Sequence, residues 1–175
     1  MDLRASTRIP FDRETVFRTL RDRLVQLAPY MPNVRQIEEK ERHEESPRTR
    51  FVNIWTAKTE IPTLAKAYLK ADEIKWTDRA LWDETTWICD WAIEPHVLPG
   101  VVQCGGRNTY TTIGSETQLE IVGTLTLNLD KLAIPRLLAS TVKPVVEKIV
   151  ITALKPNLLS IGEGVTSYLR ASKPA

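Results

Sequence analysis

The chain has 175 residues, which is one domain with a sizeable core. Apolar residues make up 42% of it, which excludes a disordered chain. Its 24 basic and 22 acidic residues leave a net charge of +2, without the basic excess of a dedicated nucleic-acid binder.

Leu3 to Ile9 reads as a short strand ended by Pro10. Asp12 is placed to cap a helix, and Val16, Phe17, Leu20, Leu24 and Leu27 form its apolar face up to Pro29. Val34–Arg42 and Thr49–Ala57 read as a strand pair, with Pro47 in the polar connection between them. Pro62 opens a short amphipathic helix carrying Leu64, Ala65, Tyr68 and Leu69. Ile74–Trp82 and Thr85–Glu94 form a second strand pair turning at Asp83-Glu84. Alternation puts Trp76, Asp78, Ala80 and Trp82 on one face of the first strand, and Trp87, Cys89, Trp91 and Ile93 on one face of the second. Val101–Ile113 and Gln118–Leu129 form the last hairpin, turning at Gly114-Ser115-Glu116. In its second strand Leu119, Ile121, Leu125, Leu127 and Leu129 alternate with polar residues. From about Ile134 to Leu169 the apolar spacing becomes helical, and Gly162 and Gly164 are expected to loosen the helix end.

The elements predict an α+β domain spanning residues 1–175. About seven antiparallel strands form a curved sheet wrapped around a long C-terminal helix, with a short helix after the first strand pair. This order resembles the helix-grip fold of the START, polyketide-cyclase and pollen-allergen (SRPBCC) superfamily. The helical run Ile61-Pro62-Thr63-Leu64-Ala65-Lys66-Ala67-Tyr68-Leu69 is similar in place to the lid region of START and PRELI-like lipid-transfer domains. The run Trp76–Asp83 is similar in place to a PRELI hairpin with an acidic residue at its turn. The resemblance implies a cavity between the sheet and the long helix, holding a lipid, sterol or polyketide-like molecule. Some members of the superfamily are enzymes, and their catalytic residues vary.

All five tryptophans (Trp55, Trp76, Trp82, Trp87, Trp91) fall between positions 55 and 91. They read either as the wall of a ligand cavity or as a packed aromatic core. The candidate ligand-binding residues are Trp55, Tyr68, Trp76, Asp78, Trp87, Trp91, Arg107 and Tyr110. Asp78 is also a candidate general acid or base, because a carboxyl among aromatics has a raised pKa. The alternatives are a solvated strand face or an ion pair. Arg107 and Tyr110 would fix a polar head group, or Arg107 is an ordinary surface arginine. Gly105-Gly106 suggests a bulge or sharp bend.

His43 and His96 lie in no metal-ligand spacing, Cys89 and Cys104 form no CxxC, and no serine stands in a G-x-S-x-G elbow. No metal and no cofactor are expected. The cysteines read as small buried hydrophobes. No signal-length apolar run follows Met1 and no span of about 18 apolar residues occurs, so the expected compartment is the cytoplasm. Charge is uneven: residues 61–130 carry a net −5 and residues 131–175 a net +5. The basic end suggests transient contact with an anionic membrane surface, or internal attraction between helix and sheet. The functions that follow are binding or transport of a hydrophobic small molecule, an aromatase/cyclase-type enzyme, or a protein–protein module that uses the apolar long helix.

Overall fold

The computed structural model describes residues 1–60, 73–97, 99–131, 140, 144 and 160–172. The strands are β1 (Asp2–Ile9), β2 (Val34–Glu45), β3 (Arg48–Glu60), β4 (Glu73–Asp83), β5 (Ile88–Pro95), β6 (Val102–Ile113) and β7 (Glu116–Leu127). The helices are α1 (Arg13–Asp22), α2 (Leu24–Leu27) and α3 (160–171), with 3-10 turns at Ala28–Tyr30 and Leu129–Lys131. Among the described residues all seven strands form one antiparallel, curved sheet in the order β1-β7-β6-β5-β4-β3-β2. Strands β2 to β7 form a meander, and β1 closes it by pairing with β7.

The sheet buries one face because its strands alternate. In β4 the residues Ile74, Trp76, Asp78, Ala80 and Trp82 are all buried, and their neighbours are more exposed. In β7 the same is true of Thr117, Leu119, Ile121, Gly123 and Leu125. Register shifts between Val34 and Gln36, between Glu39 and Glu41, and after Thr56 bend the β2–β4 side. The outer half of the edge strand β2 is charged and exposed, which discourages pairing with another chain.

Asp12 caps α1 by accepting the Thr15 amide N–H at 2.9 Å, and Val16, Phe17, Thr19 and Leu20 are buried. The helix expected to run to Pro29 is interrupted instead at Arg23 (φ −122°, ψ 17°) and resumes as α2. Phe17 meets Trp82, Trp87 and Tyr110 edge to face, with ring centroids 5.1–5.2 Å apart, so α1 stands against one end of the inner face.

Helix α3 passes through Gly162 and Gly164 without a break. A Cβ on Gly162 would lie 2.2 Å from Thr7 Cγ2, and one on Gly164 would lie 3.0 Å from Met31 Cγ. The glycines therefore do not loosen the helix; they let it lie close against β1 and the chain after α2. Of the long helix expected from Ile134, Ser140, Pro144 and 160–171 are described and helical. The rest of it, including its expected apolar faces, and the short helix carrying Tyr68 lie outside the described residues.

The hairpin between β4 and β5 departs from expectation. Asp83 Oδ1 accepts the amide N–H groups of Thr85 (2.9 Å) and Thr86 (3.2 Å), and the Trp87 N–H donates to the Asp83 carbonyl at 3.0 Å. This side-chain-anchored turn draws residues 84–87 out of the strands and leaves Trp87 at φ 57°. Trp87 is thus a turn residue that packs on α1. It does not share the inner face of β5 with Cys89, Trp91 and Ile93.

Candidate functional site

A pocket of about 70 Å³ lies between the inner face of the sheet and the helices. Strand β3 contributes Trp55, and β4 contributes Trp76, Asp78, Ala80 and Trp82. Strand β5 supplies Cys89, Trp91 and Ile93, and β6 supplies Asn108 and Tyr110. Leu20 of α1, Leu24 of α2 and Ile161 of α3 close it. Trp55 and Trp76 are direct cross-strand partners, and their rings stack 5.8 Å apart at 20°. Four of the five tryptophans line this pocket; Trp87 does not.

Trp91 reaches across the sheet because β6 and β7 carry glycines beneath it. A Cβ on Gly106 would stand 2.3 Å from the Val122 carbonyl oxygen and 2.6 Å from the Trp91 ring, and one on Gly123 would stand 3.0 Å from that ring. The register runs unbroken through Gly105 and Gly106 on both sides. Gly106 and Gly123 are therefore the seat for the indole, and the Gly105-Gly106 pair forms no bulge. The Trp91 N–H donates to Asn108 Oδ1 at 2.8 Å, which holds the ring in place.

Asp78 is buried, and Asn53, its partner across the ladder, donates to Asp78 Oδ2 at 3.3 Å. No cation pairs with it in the described residues. Desolvation pushes its pKa from 3.8 up to about 6, opposed by the Asn53 amide and by the Trp55 indole N–H beside it. That indole N–H favours the charged carboxyl but reaches no acceptor at hydrogen-bond geometry among the described residues. The Tyr110 hydroxyl is likewise buried, with the Asn108 amide beside it but no partner at hydrogen-bond geometry among the described residues. Burial raises the Tyr110 phenol and the Cys89 thiol well above their ordinary values, so both are neutral at pH 7.

The other candidates fall elsewhere. Arg107 lies on the outer face of the sheet, where its Nε and Nη2 donate to Asp90 at 2.6 and 3.0 Å; alternation along β6 directs it away from the pocket that Asn108 and Tyr110 line. Tyr68 lies outside the described residues. Trp82, Asn53 and Asn108 were not among the candidates. Trp82 and Asn108 were readable from alternation with Asp78 and Tyr110, whereas Asn53 needed the strand register. Cys89 and Cys104 are free, buried and out of register with each other: Cys89 faces Asn108, and Cys104 faces Ile93. Among the described residues no His/Cys/Asp/Glu group could hold a metal ion, and no helix is long and apolar enough to cross a membrane.

Sheet order, inner-face pocket and the helices packed over it give the chain a helix-grip fold. No family model and no curated protein matches the chain. Solved structures do. The Zhui aromatase/cyclase of a Streptomyces species is 14% identical with a TM-score of 0.66, over 100% of this chain and 99% of that one. A Thermus thermophilus protein is 22% identical with a TM-score of 0.63, over 99% of this chain and 100% of that one. The ginseng (Panax ginseng) major latex-like protein 151 is 13% identical with a TM-score of 0.61, over 96% of each chain. At these identities the likeness is one of fold, and the narrower PRELI-like resemblance gains no support from it.

Proposed function

We propose that the protein binds a hydrophobic small molecule in the pocket between the sheet and its covering helices. The observation that carries this reading is an aromatic pocket holding two buried polar groups, the Trp55 N–H and the Tyr110 hydroxyl, that have no hydrogen-bond partner among the described residues. Buried polar groups are rarely left unpaired in a finished core, and a ligand or bound water supplies the partner. Most small-molecule sites measure roughly 300–1,000 Å³, well above the 70 Å³ found here. Binding therefore moves side chains or a covering helix outward. Native mass spectrometry of the purified protein tests for a carried molecule, and thermal denaturation with naphthalene tests the pocket directly. A co-purified mass, or a rise in melting temperature with saturable quenching of tryptophan fluorescence, is the expected result. The absence of both a carried mass and any response to naphthalene would overturn the reading.

A second reading is favoured by Asp78 itself. A carboxyl with a pKa of about 6, facing an apolar pocket, suits general acid–base chemistry near neutrality. The aromatase/cyclase named above shares the fold. On this reading the protein turns over a carbonyl-rich, polyketide-like substrate, and Asp78→Asn abolishes turnover while binding persists. Unchanged turnover in that variant removes Asp78 from the chemistry.

A further inference from the structure

We propose that the Asp78 end of the pocket selects ligands carrying a hydroxyl group on an aromatic ring system, the hydroxyl donating to the Asp78 carboxyl and accepting from the Trp55 indole N–H. The proposal rests on the pocket being a ligand site.

The argument is one of hydrogen-bond complementarity. An indole N–H only donates, and that of Trp55 is buried with no acceptor at hydrogen-bond geometry among the described residues. The ionised carboxyl beside it only accepts, and among the described residues its one hydrogen bond comes from Asn53 at 3.3 Å. A ligand group serving both must donate and accept at once. An ether or ketone oxygen would satisfy Trp55 and oppose its lone pairs to those of Asp78. An ammonium would satisfy Asp78 and confront the indole donor. A carboxylate would place a second anion beside the first. A hydroxyl meets both needs with one oxygen.

The flat wall formed by Trp55 stacked on Trp76 suits an aromatic ring bearing that hydroxyl. Tyr110, the other unpaired group, both donates and accepts, so it does not discriminate among ligand groups.

Three probes of nearly equal shape separate the possibilities at pH 7.5: 2-naphthol donates and accepts, 2-methoxynaphthalene only accepts, and naphthalene does neither. Calorimetric titration is expected to show 2-naphthol binding about tenfold or more tightly than either of the others, the scale on which an unpaired buried polar group penalises a ligand. The indole N–H resonance of Trp55, assigned by its loss in Trp55→Phe, is expected to move with 2-naphthol and to stay in place with naphthalene. Trp55→Phe keeps an aromatic ring and should reduce the preference for 2-naphthol over naphthalene. Equal binding of all three probes with an unmoved Trp55 resonance would overturn the proposal and leave the pocket a ligand site, its polar pair being served by water. Failure of all three to bind would overturn the proposal, and together with the absence of a carried mass it would overturn the pocket reading as well.

Discussion

Asp78 carries an energetic signature that solution measurements can read. Its folded pKa of about 6 stands above the 3.8 of an exposed aspartate, because burial disfavours the charged form more than Asn53 supports it. The folded protein thus binds this proton more tightly than the unfolded chain. The associated stability is fully present below about pH 3.8 and is lost as pH rises through about 6. At pH 7.5 the loss amounts to about 3 kcal/mol. Replacing Asp78 with Asn should remove this dependence. In urea titrations the variant should gain stability relative to the natural protein between pH 4 and pH 7.5, by up to about that amount. A constant difference across that range would mean that Asp78 is not desolvated. Comparing the two proteins cancels the carboxylates held low by partners, such as Asp83 beside Thr85 and Arg48.

At the scale of elements, two helices are fixed to the sheet by different means. Helix α1 is anchored by Phe17 among Trp82, Trp87 and Tyr110, by the Arg13 guanidinium 4.2 Å above the Trp87 ring, and by an ion pair between Arg21 and Glu84. The displaced Trp87 therefore serves to bind the β4–β5 turn to the helix. Helix α3 is held by close approach, since Gly162 leaves no room for a methyl group beside Thr7. Gly162→Ala should destabilise the protein by about 1–3 kcal/mol, as overpacked sites do. Adding Thr7→Ser removes the Cγ2 atom at the point of collision and should recover part of the loss. No recovery in the double variant by chemical denaturation would place the strain elsewhere.

For the molecule as a whole, the curved sheet and the helices over it bring together aromatic side chains, a carboxyl and two polar groups without partners among the described residues in one pocket. A ligand that binds only the folded state stabilises it by about 2.7 kcal/mol at a hundredfold excess over its Kd. For a domain of this size that corresponds to a rise in melting temperature of about 5–10 °C. A saturating naphthalene-type probe that leaves the melting temperature unchanged would speak against a site on the folded protein. The acidic middle of the sequence supplies most of the strands around this pocket. The basic stretch after residue 131, expected to attract a membrane or the sheet, lies largely outside the described residues.

Much of this architecture was legible from local periodicity. Period-two alternation identifies the buried face of β4, with Trp76, Asp78, Ala80 and Trp82 together, and that of β7, because a pleated strand must present alternate residues to the core. The cap at Asp12 is readable because its cause lies three residues away. Other features depend on groups distant in sequence or on competition that local patterns do not show. Cross-strand register brings Asn53 to Asp78 and Trp55 to Trp76. The reach of Trp91 over Gly106 and Gly123 gives the glycines their purpose, and Thr7 gives Gly162 its own. The Asp83 carboxylate outcompetes the strand pattern for the amides that follow and turns Trp87 out of the sheet. The sequence by itself determined which faces are buried, since alternation and helical spacing act between near neighbours. Only the tertiary structure decided which buried groups meet, since that depends on register and close approach between distant segments.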